Sequence, residues 1–130
     1  MNKELRHWIQ LVEDGVSGEP IRRVCIRTKT KDGIKYRLIE SRIYYERVGD
    51  YIKEYSVEAW HGERKIGNAD FDTQNRAWGV FVNKDYRRQG IATAMYDLMG
   101  EYLGMPVEPA SSAQTATAKA FWAARTTAQN

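Results

Sequence analysis

The chain has 130 residues, 42% of them hydrophobic and 28% charged, and a net charge of +3. That is enough for a single domain, 1–130, with one core, and no stretch approaches the run of about 20 apolar residues that a membrane-spanning helix needs. Cys25 is the sole cysteine, which excludes an internal disulfide and a cysteine-based zinc site, while the mild positive charge suits an anionic ligand without demanding nucleic acid.

The opening stretch MNKELRHWIQLVEDG carries charges of both signs and no apolar h-region, so no secretory signal is expected and a cytoplasmic location is. Leu5, Trp8, Ile9 and Val12 recur with helical spacing and predict an amphipathic helix over 3–14, ending near Gly15. Val24, Ile26 and Thr28 then alternate with Cys25, Arg27 and Lys29, and after Asp32-Gly33 the residues Ile34, Tyr36 and Leu38 alternate with Lys35 and Arg37. Alternation on both sides of Asp-Gly predicts a hairpin. The segment SRIYYERV carries no clear period. A second hairpin places Tyr55, Val57 and Ala59 on one face, turns at His61-Gly62-Glu63-Arg64 and returns through KIGNADFD.

After a polar turn at 72–76 comes AWGVFV, almost wholly apolar, as expected of a central strand covered on both faces. Gly79 within it signals a bulge or a close approach by another backbone or a ligand. From Arg88 to Leu103 the period is helical, with Ile91, Met95, Leu98, Met99 and Tyr102 on one face, until Gly104 and Pro106 stop it. MPVEPASS reads as an edge or irregular strand because of its prolines, and a last helix is expected over 113–125. The order of elements predicts an α+β or mixed α/β plan, a sheet packed against helices.

The stretch YRRQGIA sits where the apolar strand runs into the helix. The first turn of a helix has backbone N–H groups without internal partners, and those donors with the helix dipole attract anions. Gly90 allows close approach of a ligand, Ala92 keeps the next position small, and Arg87 and Arg88 add donors suited to phosphate oxygens. The dipole contributes roughly 0.3–1 kcal/mol and convergent N–H and arginine contacts contribute more. The stretch therefore reads as a pyrophosphate cradle. Neither GxxxxGK[ST] nor GxGxxG is present.

VFVNKDYRRQGIATAMYDLM resembles the acyl-CoA-binding motif of the GNAT superfamily of N-acetyltransferases, with Arg87, Gly90 and Ala92 at the signature positions of Arg/Gln-x-x-Gly-x-Gly/Ala. AWHGERKIGNADF is similar to that family's preceding hairpin, through Ile66-Gly67-Asn68-Ala69, and TATAKAFW to its last motif, through Ala118 and Phe121. The resemblance covers residues 53–125. It implies a GNAT-like fold: a central, mostly antiparallel sheet with helices on both faces and a splayed central strand pair. It implies acetyl-CoA as cofactor, with pantetheine along Phe81 and Val82 and the pyrophosphate held by Arg87, Arg88, Gln89, Gly90, Ile91, Ala92 and Thr93. A primary amine, either a protein lysine or N-terminus, a small-molecule amine or an RNA-linked amine, then attacks the thioester directly from the opposite side.

Three departures from the family pattern stand out. Thr115 takes the place of a common Asn, Trp122 stands where many members have a thiolate-protonating tyrosine, and the strands that follow the last helix in the family have no counterpart. Indole N–H donates a hydrogen bond but is no acid at neutral pH. Glu58, Asp70 and Asp72 are candidates for a base, and Ser111 and Ser112 for a donor near the thiol, and the sequence assigns no catalytic acid or base. The alternative expectation is a non-catalytic GNAT-fold protein that binds a macromolecule, protein or nucleic acid. The hairpin 21–37, with seven basic residues and one acid, is the surface for such a partner or for a macromolecular acceptor. A homodimer is left open, and His7 and His61 lack the spacing of metal ligands.

Overall fold

The structure, a computed structural model, describes residues 21–45, 49–110 and 116–129. Five strands follow one another in space as in sequence: β1 (Ile21–Lys31), β2 (Ile34–Tyr45), β3 (Asp50–His61), β4 (Arg64–Phe71) and β5 (Ala77–Val82), each antiparallel to the next. Among the described residues, helix α1 (Ile91–Leu103) and helix α2 (Ala116–Gln129) join the sheet in a mixed α+β architecture. The expected helix over 3–14, and Ser111, Ser112 and Thr115, lie outside the described residues. None of the described helices is long and apolar enough to cross a membrane.

The first hairpin forms as its pattern demands. Asp32 and Gly33 take φ of 52° and 78°, positive values that match the turn to the twist of its strands. The periodless segment SRIYYERV continues β2 as far as Tyr45. One alternation does break. A bulge between Cys25 and Arg27 shifts the register so that Arg27 pairs with Leu38 and Lys29 with Tyr36. Arg27 and Lys29 therefore share the apolar face that Val24 and Ile26 were expected to extend. Arg27 lies over the Tyr102 ring of α1 at 5.2 Å, and Lys29 Nζ meets Glu101 Oε1 at 2.8 Å.

The core lies between one face of the sheet and α1. Register aligns Leu38 with Val57 and Val57 with Ala69, and Tyr36 with Ala59 and Ala59 with Gly67. Ile91, Met95, Leu98 and Met99 of α1 are buried against them, the stripe that the helical period marked, with Tyr102 partly buried at its end. Each such side chain contributes roughly 1.5–3 kcal/mol on burial. Gly67 lets the layers approach, since a Cβ there would stand 3.2 Å from the Phe81 carbonyl oxygen and 3.4 Å from Met95 Cε.

AWGVFV departs from expectation. It is not a central strand covered on both faces: among the described residues β5 is the last strand of the sheet, and Trp78, Val80 and Phe81 are exposed. The reason lies in the segment after α1, which meets β5 at a single parallel bridge, Ala77–Pro109. Ala77 N–H donates to the Glu108 carbonyl (2.9 Å) and Ala110 N–H to the Ala77 carbonyl (2.8 Å). No further pairing follows towards Val82 among the described residues. The bulge signalled by Gly79 falls beside it, because the register shifts between Asp70–Gly79 and Phe71–Ala77 and leaves Trp78 as the extra residue.

The loop between β4 and β5 is organised by Asp72. Its Oδ1 accepts from Gln74 and Arg76 N–H (both 2.9 Å), and its Oδ2 from Arg76 Nε (3.0 Å). Burial pushes this carboxyl up, but the N–H groups of Arg76 and Gln74 and the Arg76 guanidinium outweigh it and hold it below the usual carboxylate range. A carboxyl with a lowered folded pKa contributes stability that is present above its ordinary value, near ~3.9, and is lost as pH falls through the folded value. In urea unfolding followed from about pH 5 down to about pH 2, Asp72→Asn is expected to flatten the acid loss of stability relative to wild type. Parallel pH profiles would show that this carboxylate has no such role.

Candidate functional site

The strand–loop–helix junction is built by short-range bonds. Asn83 N–H donates to the Ile66 carbonyl at 2.7 Å, tying the loop to β4, and Asn83 Oδ1 accepts from Asp85 N–H at 3.0 Å. That cap starts a 3-10 turn, Lys84–Tyr86. The Tyr86 hydroxyl lies 2.7 Å from His61 Nδ1, which moors the loop to the β3–β4 turn. Arg87 Nε donates to the Val82 carbonyl at 3.1 Å, folding its guanidinium back over the end of β5. Gln89 Nε2 reaches the Asp85 carbonyl at 3.5 Å.

Two left-handed residues then turn the chain into α1. Arg88 has φ 64°, a conformation that costs a non-glycine residue on the order of 1 kcal/mol. Gly90, at φ 78° and ψ 15°, is the N-cap, and no side chain caps the helix there. The helix begins at Ile91, not at Arg88 as its period suggested, and the first internal bond runs from Ala94 N–H to the Gly90 carbonyl (2.9 Å). The N–H groups of Ile91, Ala92 and Thr93 therefore have no partner within the helix.

These groups open onto a cleft of about 710 Å³, within the range of small-molecule sites. Its walls are the end of β5, the loop, the first turns of α1 and one side of α2. Of the residues expected at a cofactor site, Phe81, Val82, Arg87, Arg88, Gly90, Ile91, Ala92 and Thr93 line it. Gln89 does not, being turned back onto Asp85. Val80, Tyr86, Tyr96, Thr117, Ala118, Phe121 and Trp122 complete the lining. The cleft thus joins the β5–α1 junction to the TATAKAFW segment, which is far off in sequence. Arg87 and Arg88 are the ionised side chains in that lining, so its field favours anions.

The carboxylates weighed as bases lie elsewhere. Val80 and Val82 pair with Ala69 and Gly67 on the face that carries α1, whereas Asp70 pairs with Gly79 and Glu58 with Asn68 on the opposite face. Glu58 is buried there, accepting from Trp60 Nε1 at 3.2 Å with Lys65 Nζ at 3.5 Å and Arg23 Nη2 at 3.8 Å. Asp72 serves its loop. The basic hairpin is partly spent on the protein itself: besides Arg23, Arg27 and Lys29 in the contacts given above, Arg37 lies over the Trp60 ring at 5.3 Å.

Tyr96 is among the lining residues that sequence reasoning did not single out. It is 2% exposed, and its ring packs 4.8 Å from Trp122, 5.8 Å from Phe121 and 6.1 Å from Phe71. Arg125 holds α2 onto this cluster, donating from Nη2 to Asp97 Oδ1 at 2.8 Å and lying over the rings of Tyr96 and Trp122. Burial pushes the Tyr96 phenol up to about 12, with the Arg125 charge pulling the other way. One cue was available: Tyr96 follows Met95 directly and would have widened the apolar stripe of α1.

No family model, curated protein or solved structure matches this chain.

Proposed function

We propose that the protein is an N-acetyltransferase of GNAT type, which transfers an acetyl group from acetyl-CoA to a primary amine. The observation that carries this reading is the cleft itself. At one end are the N–H groups of Ile91, Ala92 and Thr93 with Arg87 and Arg88, and along one wall runs the outer edge of β5, unpaired beyond Ala77 among the described residues. A ligand with an anionic diphosphate and an extended, amide-bearing arm suits both features. The single Ala77–Pro109 bridge supports a splayed strand pair, and Ala118 and Phe121 in the same lining support a role for the last motif in that fold.

In this reading the loop and the first turn of α1 bind the diphosphate, and Val80, Phe81 and Val82 orient the arm. Acetyl-CoA supplies an activated acyl group: a C–N bond forms, the C–S bond breaks, and the proton lost by the amine balances the one gained by the CoA thiol. Positioning of the reactants supplies most of the acceleration. With acetyl-CoA and a panel of amines (a lysine peptide, a peptide with a free N-terminus and a polyamine), release of free thiol is expected to require protein and one class of amine. A second reading, a GNAT-shaped protein that holds CoA without transfer, is favoured by the absence of any carboxylate or imidazole from the described lining. Acetyl-CoA binding without thiol release for any amine would select it.

A further inference from the structure

We infer that the Tyr96 hydroxyl is the donor that reads the acyl carbonyl at the inner end of the cleft, so that the protein distinguishes acetyl-CoA from free CoA. The inference rests on the acetyltransferase reading and adds to it a specificity residue on α1.

Tyr96 is 2% exposed as a residue, and its hydroxyl has no hydrogen-bond partner among the described residues. The hydroxyl is not one of the fully enclosed unpartnered atoms, so what access it keeps is to the cleft it lines. A ligand that displaces solvent from this hydroxyl has to supply an acceptor in its place, since leaving the group unsatisfied would then cost about 1–3 kcal/mol. Tyr96 also lines the cleft, so a bound ligand is placed to supply the acceptor.

Its position says which part of the ligand that is. Tyr96 lies about 9 Å along α1 from Gly90, at 1.5 Å per residue, well away from the turn that attracts the anion. It packs on Phe71, whose strand partner is Ala77, where β5 meets the segment at Pro109 and the opening closes. A ligand anchored at Gly90 and laid along β5 therefore brings its far end to Tyr96.

The surroundings define the chemistry of that end. Phe121 and Trp122 are its aromatic walls, and Arg125, the nearest charge, is engaged with Asp97. An uncharged acceptor is suited to this place. The phenol, pushed up to about 12 by burial, stays protonated at neutral pH and so acts as a donor there. Acetyl-CoA ends in a carbonyl, a strong acceptor, whereas free CoA ends in a thiol, a weak one.

Calorimetric titration of wild type and Tyr96→Phe with acetyl-CoA and with free CoA tests this. Wild type is expected to bind acetyl-CoA about three- to tenfold more tightly than CoA, the worth of one hydrogen bond. Tyr96→Phe is expected to lose that preference while keeping wild-type affinity for CoA. S-ethyl-CoA, which matches the acetyl group in size but lacks the carbonyl, gives a test on wild type alone: it is expected to bind like CoA. A preference retained in Tyr96→Phe, equal weakening of both ligands, or S-ethyl-CoA binding as tightly as acetyl-CoA would overturn the role of Tyr96 and leave the acetyltransferase reading standing. If wild type binds none of the three ligands, both fall together.

Discussion

Gly90→Glu is expected to abolish acetyl-CoA binding while the protein stays folded. A Cβ at Gly90 meets nothing within 4 Å, so the new side chain has room. The φ of 78° costs an L-residue about 1–2 kcal/mol, tolerable for a domain of ordinary stability. The added carboxylate stands beside the N–H groups of Ile91 and Ala92 and takes the place proposed for the diphosphate. At a ligand concentration about a hundred times Kd, binding stabilises a protein by about 2.7 kcal/mol. For a chain of this size that raises Tm by on the order of 10 °C. Thermal melts with and without acetyl-CoA should show the rise in wild type and none in Gly90→Glu. Gly90→Ala carries the same backbone strain without the charge and is expected to retain part of the rise. An undiminished rise in Gly90→Glu would place the cofactor elsewhere.

Phe71→Ala is expected to cost about 3–5 kcal/mol, the range for emptying a buried phenylalanine site. Phe71 is 1% exposed, ends β4 and meets the Tyr96 ring edge-on, so its loss opens a cavity between sheet and α1 under the floor of the cleft. A domain holds about 5–15 kcal/mol in all, so urea unfolding should show a large fall in midpoint. Phe81→Ala is the informative contrast. Phe81 is 57% exposed on the edge strand, and its removal is expected to cost within about 0.5 kcal/mol of stability. Equal costs at the two positions would contradict the placement of β5 at the edge.

That contrast marks where sequence legibility stopped. The hairpins, the apolar stripe of α1 and the stop at Gly104 were legible because each is local: alternation, helical period and turn chemistry are written within a few residues. The junction YRRQGIA was legible as a strand-to-helix turn for the same reason, although the helix starts at Ile91, beyond the Arg88 that its period suggested. AWGVFV was misread because a run apolar on both faces signals a covered strand, whereas here Trp78 is exposed and Val80 and Phe81 are exposed along a cleft wall. What decides this is the single bridge at Pro109, a contact no period encodes. The bulge at Ile26 moved Arg27 and Lys29 onto the helix face, and one extra residue is invisible to an alternation rule. Tyr96 was missed because its burial depends on Phe121, Trp122 and Arg125, which only the packing of α2 brings to it.

The measurement that bears most directly on the proposed cleft is calorimetric titration of the wild-type protein with acetyl-CoA. Micromolar, one-to-one binding is expected if the N–H groups of Ile91, Ala92 and Thr93, with Arg87 and Arg88, form a diphosphate cradle. No heat of binding at millimolar acetyl-CoA would contradict it, and attention would turn to a macromolecular partner for the basic hairpin.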